Sequence, residues 1–190
     1  MRRYAFCPVC GSPLDPAAAS PPNVNLHVCG ACKFEFWQNS KPVVGAIIVR
    51  TIRNTPHVLL CMRAIDPHKG MWDLPGGYLN NGEHPEEGLV REIHEELGTT
   101  LGRRRFLTVE VDEYPRDDVA EEARFVLGLY YVCQINEDAR LIPMDDVQAV
   151  EWFPLDDLPG TIAFAANRRA IEAFKQHPQL FGDLIQSHPW

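Results

Sequence analysis

The chain has 190 residues, 45% hydrophobic and 23% charged, with a formal charge of −8 at pH 7. That is an ordinary soluble composition, long enough for one domain with a proper core plus something small. The acidic balance argues against broad, sequence-independent nucleic-acid binding, so a nucleic-acid partner is not expected. It leaves room for an anionic substrate, because a bound metal supplies local positive charge.

The apolar run Val43–Val49 is far shorter than the about 20 residues of a membrane-spanning helix, and no membrane association is expected. Arg2 and Arg3 lead into CPVCGSPLDP rather than an apolar stretch, so no signal peptide is expected. The cytoplasm is the default compartment.

Six cysteines fall into two kinds. Cys7-x2-Cys10 and Cys29-x2-Cys32, with eighteen residues between the pairs, have the spacing of a four-cysteine zinc ribbon. Each CxxC puts two thiolates on one tight knuckle, and two knuckles complete a tetrahedral shell with no open position, as a structural zinc requires. Two disulfides or a redox CxxC are the alternatives. The cytosolic setting and the lack of a thioredoxin-like βαβ pattern favour zinc. Cys61 and Cys133 lie in apolar runs and are expected to be buried strand residues.

The stretch DPAAASPPNVN, residues 15–25, predicts a loop between the knuckles, and NSKP at 39–42 marks a boundary. Strands are predicted at 43–50 and 57–63 around a turn at Asn54–Pro56. A loop through Asp66–Gly70, the segment MWDLPGGYL and a helix over 85–97 follow. Further strands are predicted at 105–111, 123–135 and 148–153, with an acidic loop at 112–122. A last helix near 162–176 carries Ile162, Ala166, Ala170, Ala173 and Phe174 at helical period. The domains expected are a ribbon over 1–40, an α/β domain over 41–176 and a tail over 177–190.

The densest information lies in GYLNNGEHPEEGLVREIHEELGT, residues 77–99. It sets Gly77, Glu83, Arg91, Glu92, Glu95, Glu96 and Gly98 at the spacing G-x5-E-x7-R-E-x-x-E-E-x-G. Chance would produce such a match at roughly 10⁻⁹ to 10⁻⁸ per start position, given background usages of about 5–7% per residue. Pro85 suits a first helical turn and Gly98 a left-handed C-terminal cap. Leu89, Ile93 and Leu97 give the helix an apolar stripe, and Glu92, Glu95 and Glu96 fall within an arc of about 100° beside it. Three like charges on one turn repel, and a hard divalent cation would hold all three ionised. Gly88 in mid-helix costs roughly 1 kcal/mol relative to alanine, for which close helix–sheet packing is the expected reason.

This pattern resembles the Nudix box, the signature of hydrolases that cleave a diphosphate linked to another moiety. Thr99 departs from it, standing where an aliphatic residue is usual. The resemblance covers Cys7 to about Phe174. It implies an α/β fold, a Nudix-type α/β/α sandwich with a mixed sheet, preceded here by the small four-cysteine zinc ribbon. It implies Mg²⁺ or Mn²⁺ held by Glu92, Glu95, Glu96 and the Gly76 carbonyl. It further implies that Glu83 supports the cluster, that Arg91 orients the acidic helix, and that Gly77 lets the loop pass close to the metals.

The family takes its general base from a helix glutamate in some members and a loop carboxylate in others. The loop candidates here are Glu113, Asp117, Asp118, Glu121 and Glu122, and Glu151 is read as structural or water-positioning. For substrate contacts the sequence offers Trp72, Tyr78 and Phe34 as stacking rings, and Arg63, Lys69 and Arg103 to Arg105 as phosphate contacts.

A zinc ribbon ahead of such a domain is similar to the NADH pyrophosphatases and to a related group acting on FAD or ADP-ribose. TLGRRRFLTVEVDEYPRDD stands where the NADH enzymes carry an SQPWPFP-type run, which argues against strict NADH specificity. NSKPVVGAIIV and HKGMWDLPGGYL look closer to the FAD and ADP-ribose group. The resulting expectation is metal-dependent hydrolysis of FAD, NAD(H) or ADP-ribose with release of AMP. A small-molecule nucleotide is then the substrate, and a homodimer the family-level assembly. The rivals are a nucleoside triphosphate pyrophosphatase, which would release pyrophosphate, and a catalytically silent binding module, which a degraded box would mark. Here every acidic position of the box is intact.

Overall fold

The computed structural model describes residues 5–14, 26–114, 124–180 and 182. The predicted loop 15–25 lies outside the described residues. Two compact units are present: Met1–Lys41 with Glu113–Phe125, and Pro42–Asp112 with Val126–Trp190. The division falls one residue beyond the expected end of the ribbon, and Glu113–Phe125 from mid-chain groups with the N-terminal unit.

In the smaller unit, β1 (Leu26–Val28) and β2 (Glu35–Trp37) form a short antiparallel hairpin that brackets the second CxxC. At the turns Gly11 and Lys33 take left-handed φ of 71° and 62°. The carbonyls of Cys7 and Cys29 each accept a backbone N–H across their knuckle, from Gly11 and Lys33, at 2.9 Å.

The larger unit is built on β3 (Lys41–Ile52), β4 (Thr55–Arg63), β5 (Trp72–Asp73), β6 (Leu101–Tyr114), β7 (Arg124–Ile135) and β8 (Val147–Pro154). The sheet order is β5-β4-β3-β7-β6, with β8 on β4. Val58 pairs with both Val49 and Phe153, and Cys61 with both Asp73 and Val150, so β8 takes one edge of β4 while β3 and β5 share the other. The β3–β4 turn is Arg53-Asn54, with φ of 50° and 64°, the two left-handed residues of a type I′ hairpin. It sits earlier than the predicted Asn54–Pro56, and Pro56 is already in β4 opposite Thr51.

Alternate residues of β3, β4 and β7 fill two different cores. Val44, Ala46, Ile48, Leu59, Cys61, Tyr131 and Cys133 pack under α1 (Pro85–Leu97) through Leu89, Ile93 and Leu97. Ile47, Val49, Val58, Leu60, Tyr130 and Val132 pack under α2 (Ala165–Gln176) through Ala166, Ala170, Ile171 and Phe174. This is the α/β/α sandwich, and it explains why the central strands read as unbroken apolar runs. Cys61 and Cys133 are buried, as their runs suggested. Burial of Leu89, Ile93 and Leu97 stabilises the α1 interface by roughly 1.5–3 kcal/mol apiece. Among the described residues no helix is long and apolar enough to cross a membrane.

The helix α1 has the predicted bounds. His84 accepts the Glu86 N–H at its start, Pro85 opens the first turn, and Gly98 closes it at φ 62° by donating to the His94 carbonyl. The second helix begins three residues later than expected, because Ile162 and Ala163 pair with Trp72 of β5 instead. Gly88 is explained by close packing, though against the preceding loop rather than the sheet. A Cβ there would collide with Leu79 and lie 3.0 Å from Glu83 Oε2. Glu83 is pinned by Arg91 and by the Asn80 amide, so it has little room to yield. Gly88→Ala should therefore lower stability by about 1–3 kcal/mol in urea unfolding, despite the helix-propensity gain. A stabilised variant would contradict this packing.

Candidate active site

The acidic face of α1 meets the loop that follows β5. That loop runs antiparallel to the start of β3, with Val44 and Ala46 donating to the carbonyls of Gly77 and Pro75 at 2.9 Å. Gly76 sits at φ 138°, and a Cβ on it would run into the Val44 carbonyl. A Cβ on Gly77 would fall 2.7–2.9 Å from the Glu92 carboxylate atoms. Gly76 thus requires glycine for the loop to lie against β3, and a side chain at 77 would displace the Glu92 carboxylate.

Arg91 organises the exposed half of the site. Its Nε and Nη2 hold both oxygens of Glu83, at 2.8 and 2.9 Å, and Nη2 also donates to the Tyr78 carbonyl at 3.0 Å. Its Nη1 reaches Glu92 at 2.7 Å and Glu95 at 2.9 Å. The Arg91 hydrogen bonds, then that of Asn80, hold the Glu83 carboxyl down at about 2.

Glu96 lies on the buried side, 5% exposed, and accepts the Gly76 N–H at 2.9 Å. Burial, then the negative charge of Asp146, pushes Glu96 well above the usual carboxylate range. Glu92 is also raised, by burial first. A cavity of about 10 Å³, the scale of one water or ion, is lined by Cys61, Arg63, Asp73, Gly76, Glu96 and Asp146. Two carboxylates with raised affinity for protons, Glu92 and Glu96, stand on α1 with Glu95 between them, and Asp146 and the Gly76 carbonyl belong to the same structural unit. A groove of about 430 Å³ runs along the outer side of α1 past Arg91, Glu95 and Arg104.

Asp146 is the site residue the sequence reading missed. It precedes β8, whose pairing with β4 shifts register between Met62 and Arg63, so that Arg63 faces Val147. The Asp146 carbonyl accepts the Ala64 N–H at 2.6 Å. An irregularity in a strand that re-aims a neighbouring side chain is a recurrent active-site device, and no short motif announces it.

Of the other candidates, Arg63 lines the Glu96 cavity and, among the described residues, the rest do not. Trp72 is half-buried, edge-to-face on Phe153 at 4.9 Å. Arg63 donates to the Pro67 carbonyl at 2.8 Å and pairs with Asp73 at 3.2 Å. Tyr78 and Lys69 are exposed. Arg104 pairs with Glu86 at 2.9 Å, and Arg103 and Arg105 flank it on β6. Glu113 stands exposed near the end of β6, and Glu151 lies exposed on β8 opposite Leu60. Asp117, Asp118, Glu121 and Glu122 lie outside the described residues. Phe34 belongs to the smaller unit.

In that unit the four cysteines carry no disulfide, and all four Sγ atoms lie within 4.8 Å of one another. Cys7–Cys32 and Cys10–Cys29 are 3.7 and 3.6 Å apart. A tetrahedron with metal–sulfur bonds near 2.3 Å has edges of about 3.8 Å, so the cluster is compatible with zinc. Among the described residues it is the one group of three or more potential ligands gathered so closely.

Asp73 supplies a pH signature. Burial, opposed by Arg63 and Asn167, raises it from 3.8 to about 6. Between those values the folded state binds more proton than the unfolded one at this site, so the contribution of Asp73 to stability is fully present below about 3.8 and is lost as pH rises through about 6. The loss attributable to Asp73 is about 3 kcal/mol. Urea unfolding between pH 4 and 7 should show a smaller decline in Asp73→Asn than in the wild type; parallel profiles would contradict the assignment.

The NUDIX domain family model matches residues 40–174. The chain is 24% identical over 176 residues to the NAD-capped RNA hydrolase NudC of Salmonella heidelberg, covering 90% of this chain but 60% of that protein. A crystal structure of a NUDIX hydrolase from Nitrosomonas europaea is 25% identical, with 92% of each chain covered and a TM-score of 0.68. The NUDIX domain of Shewanella oneidensis NrtR, crystallised with ADP ribose, is 22% identical over 75% of this chain and 90% of its own, at a TM-score of 0.62. With the matched segment spanning both cores, α1 and the loop before it, the chain belongs to the NUDIX family.

Proposed function

We propose that this protein is a divalent-metal-dependent pyrophosphohydrolase that cleaves a nucleoside diphosphate linked to another moiety, of the FAD, NAD(H) or ADP-ribose class, and releases AMP. The observation that carries the reading is Glu96, buried beside Asp146 under the Gly76 loop, with no cationic side chain among its hydrogen-bond partners in the described residues. A structural helix gains nothing from that arrangement, whereas a metallohydrolase needs it.

The relative named for NAD-capped RNA and the neighbour crystallised with ADP ribose both concern a diphosphate joining a nucleoside to a second group, which supports the substrate class. The chain spans 60% of the length of that NudC protein, so its substrate preference is its own to establish.

Mg²⁺ or Mn²⁺ bound here would neutralise phosphate oxygens and make water a better nucleophile. Glu92, Glu95 and Glu96 would hold it, and Arg91 and Glu83 keep α1 oriented toward the loop. Asp146 is the carboxylate we assign to receive the proton as the water oxygen bonds to phosphorus. The bridging P–O bond then breaks, and its electron pair leaves with the departing phosphate. The four cysteines hold a structural zinc that shapes the ribbon.

Turnover with Mg²⁺ on FAD, NADH, NAD⁺, ADP-ribose and nucleoside triphosphates, with products weighed by mass, tests the reading. AMP from a dinucleotide or ADP-ribose supports it, and pyrophosphate from a triphosphate would overturn it. Glu96→Gln and Asp146→Asn should each lower kcat by roughly 10²–10⁴-fold without unfolding, and near-wild-type rates in both would remove the assigned roles. Elemental analysis should find about one zinc per chain, lost in the Cys7→Ser, Cys32→Ser double variant. A folded, zinc-free native protein would refute the ribbon.

A further inference from the structure

The loop that carries Gly76 is fastened from the opposite side of the sheet. Asp73, three residues earlier, is 6% exposed, and its Oδ1 accepts the Leu74 N–H at 3.0 Å. The same oxygen accepts Asn167 Nδ2 from the first turn of α2, and Oδ2 takes Arg63. Asn167, itself buried, accepts the Tyr130 hydroxyl proton on Oδ1 at 2.5 Å. The Tyr130 ring lies against Gly45 and Gly128, where added Cβ atoms would stand 2.7 Å from it.

The start of α2 is tied to β5 in other ways as well. Ala163 donates to the Trp72 carbonyl at 2.8 Å, and the Arg63 guanidinium lies 5.2 Å over the ring of Phe164. A polar network this buried is costly unless every member is satisfied. A core needing only stability would be served by apolar residues of similar volume.

We propose that Asn167 and Asp73 are positioning residues: through the Leu74 amide they fix the turn that presents Gly76 to Glu96, so that α2 sets the geometry of the acidic cavity on the other face of the sheet. The inference rests on the hydrolase reading for its kinetic consequence alone. Its structural consequence stands apart, because the Leu74 amide donates to Asp73 of the network and, two residues on, the Gly76 amide donates to Glu96. Catalytic constellations lose rate steeply on displacements near 1 Å, about 10²-fold at the extreme.

The test uses the full chain, with residue-resolved amide exchange, Mn²⁺ affinity by electron paramagnetic resonance, and kcat and KM. Asn167→Ala should speed exchange at Leu74 and Gly76 by about tenfold, weaken Mn²⁺ binding and lower kcat about tenfold or more, with KM within about threefold. Tyr130→Phe, which removes only the outer link, should move the same readings in the same direction by less. Phe174→Leu, at the far end of α2, controls for general loss of stability and should leave them unchanged.

If Asn167→Ala fails to fold, Tyr130→Phe decides. Wild-type exchange at Leu74 and Gly76 in the folded variants, or equal changes in Phe174→Leu, would overturn the proposal. A wild-type protein without turnover on any nucleotide would refute the hydrolase reading instead, and the exchange data would still decide the positioning role.

Discussion

Glu96 is buried with three other acidic groups acting on it, Asp146, Glu92 and Asp73, and its carboxylate is held by one backbone N–H, that of Gly76. The site depends on that placement. Fixing it requires an apolar stripe that seats α1 on the sheet, a glycine pair that lets the loop pass between β3 and the helix, and a strand pairing that brings Asp146 alongside. Burial and the neighbouring acids are what raise the affinity of Glu96 for protons.

Charge is divided across the helix. On the solvent side Arg91 gathers Glu83, Glu92 and Glu95 and compensates them. Partly exposed ion pairs of this sort contribute little to stability, but a bidentate guanidinium fixes direction as well as charge. On the buried side acidic groups gather around Glu96, with Arg63 paired to Asp73 in the same cavity. The same thirteen-residue helix thus presents one edge that Arg91 compensates and orients and another whose carboxylate is buried.

Much of this was legible in the sequence because it is local. The bounds of α1, its stripe at Leu89, Ile93 and Leu97 and its acidic arc follow from spacing alone, and so do the CxxC pairs whose sulfurs converge in the fold. What escaped depends on contacts between distant segments. Asp146 reads as one more loop acid until β8 pairs with β4, and Asn167 reads as a polar helix position until it meets Asp73, ninety-four residues away. Arg63 and Trp72 carry the right chemistry for a nucleotide, and the fold adds contacts that the sequence did not announce, Arg63 with Asp73 and Trp72 with Phe153.

The hydrolase proposal makes the buried edge of α1 a divalent-cation site. Anomalous scattering from a crystal soaked in Mn²⁺ addresses it directly. The account predicts an Mn²⁺ peak coordinated by a Glu96 oxygen, next to the Gly76 carbonyl and on the Asp146 side of the helix. Full Mn²⁺ occupancy confined to other carboxylates, or no peak at Glu96 at saturating concentration, would contradict it.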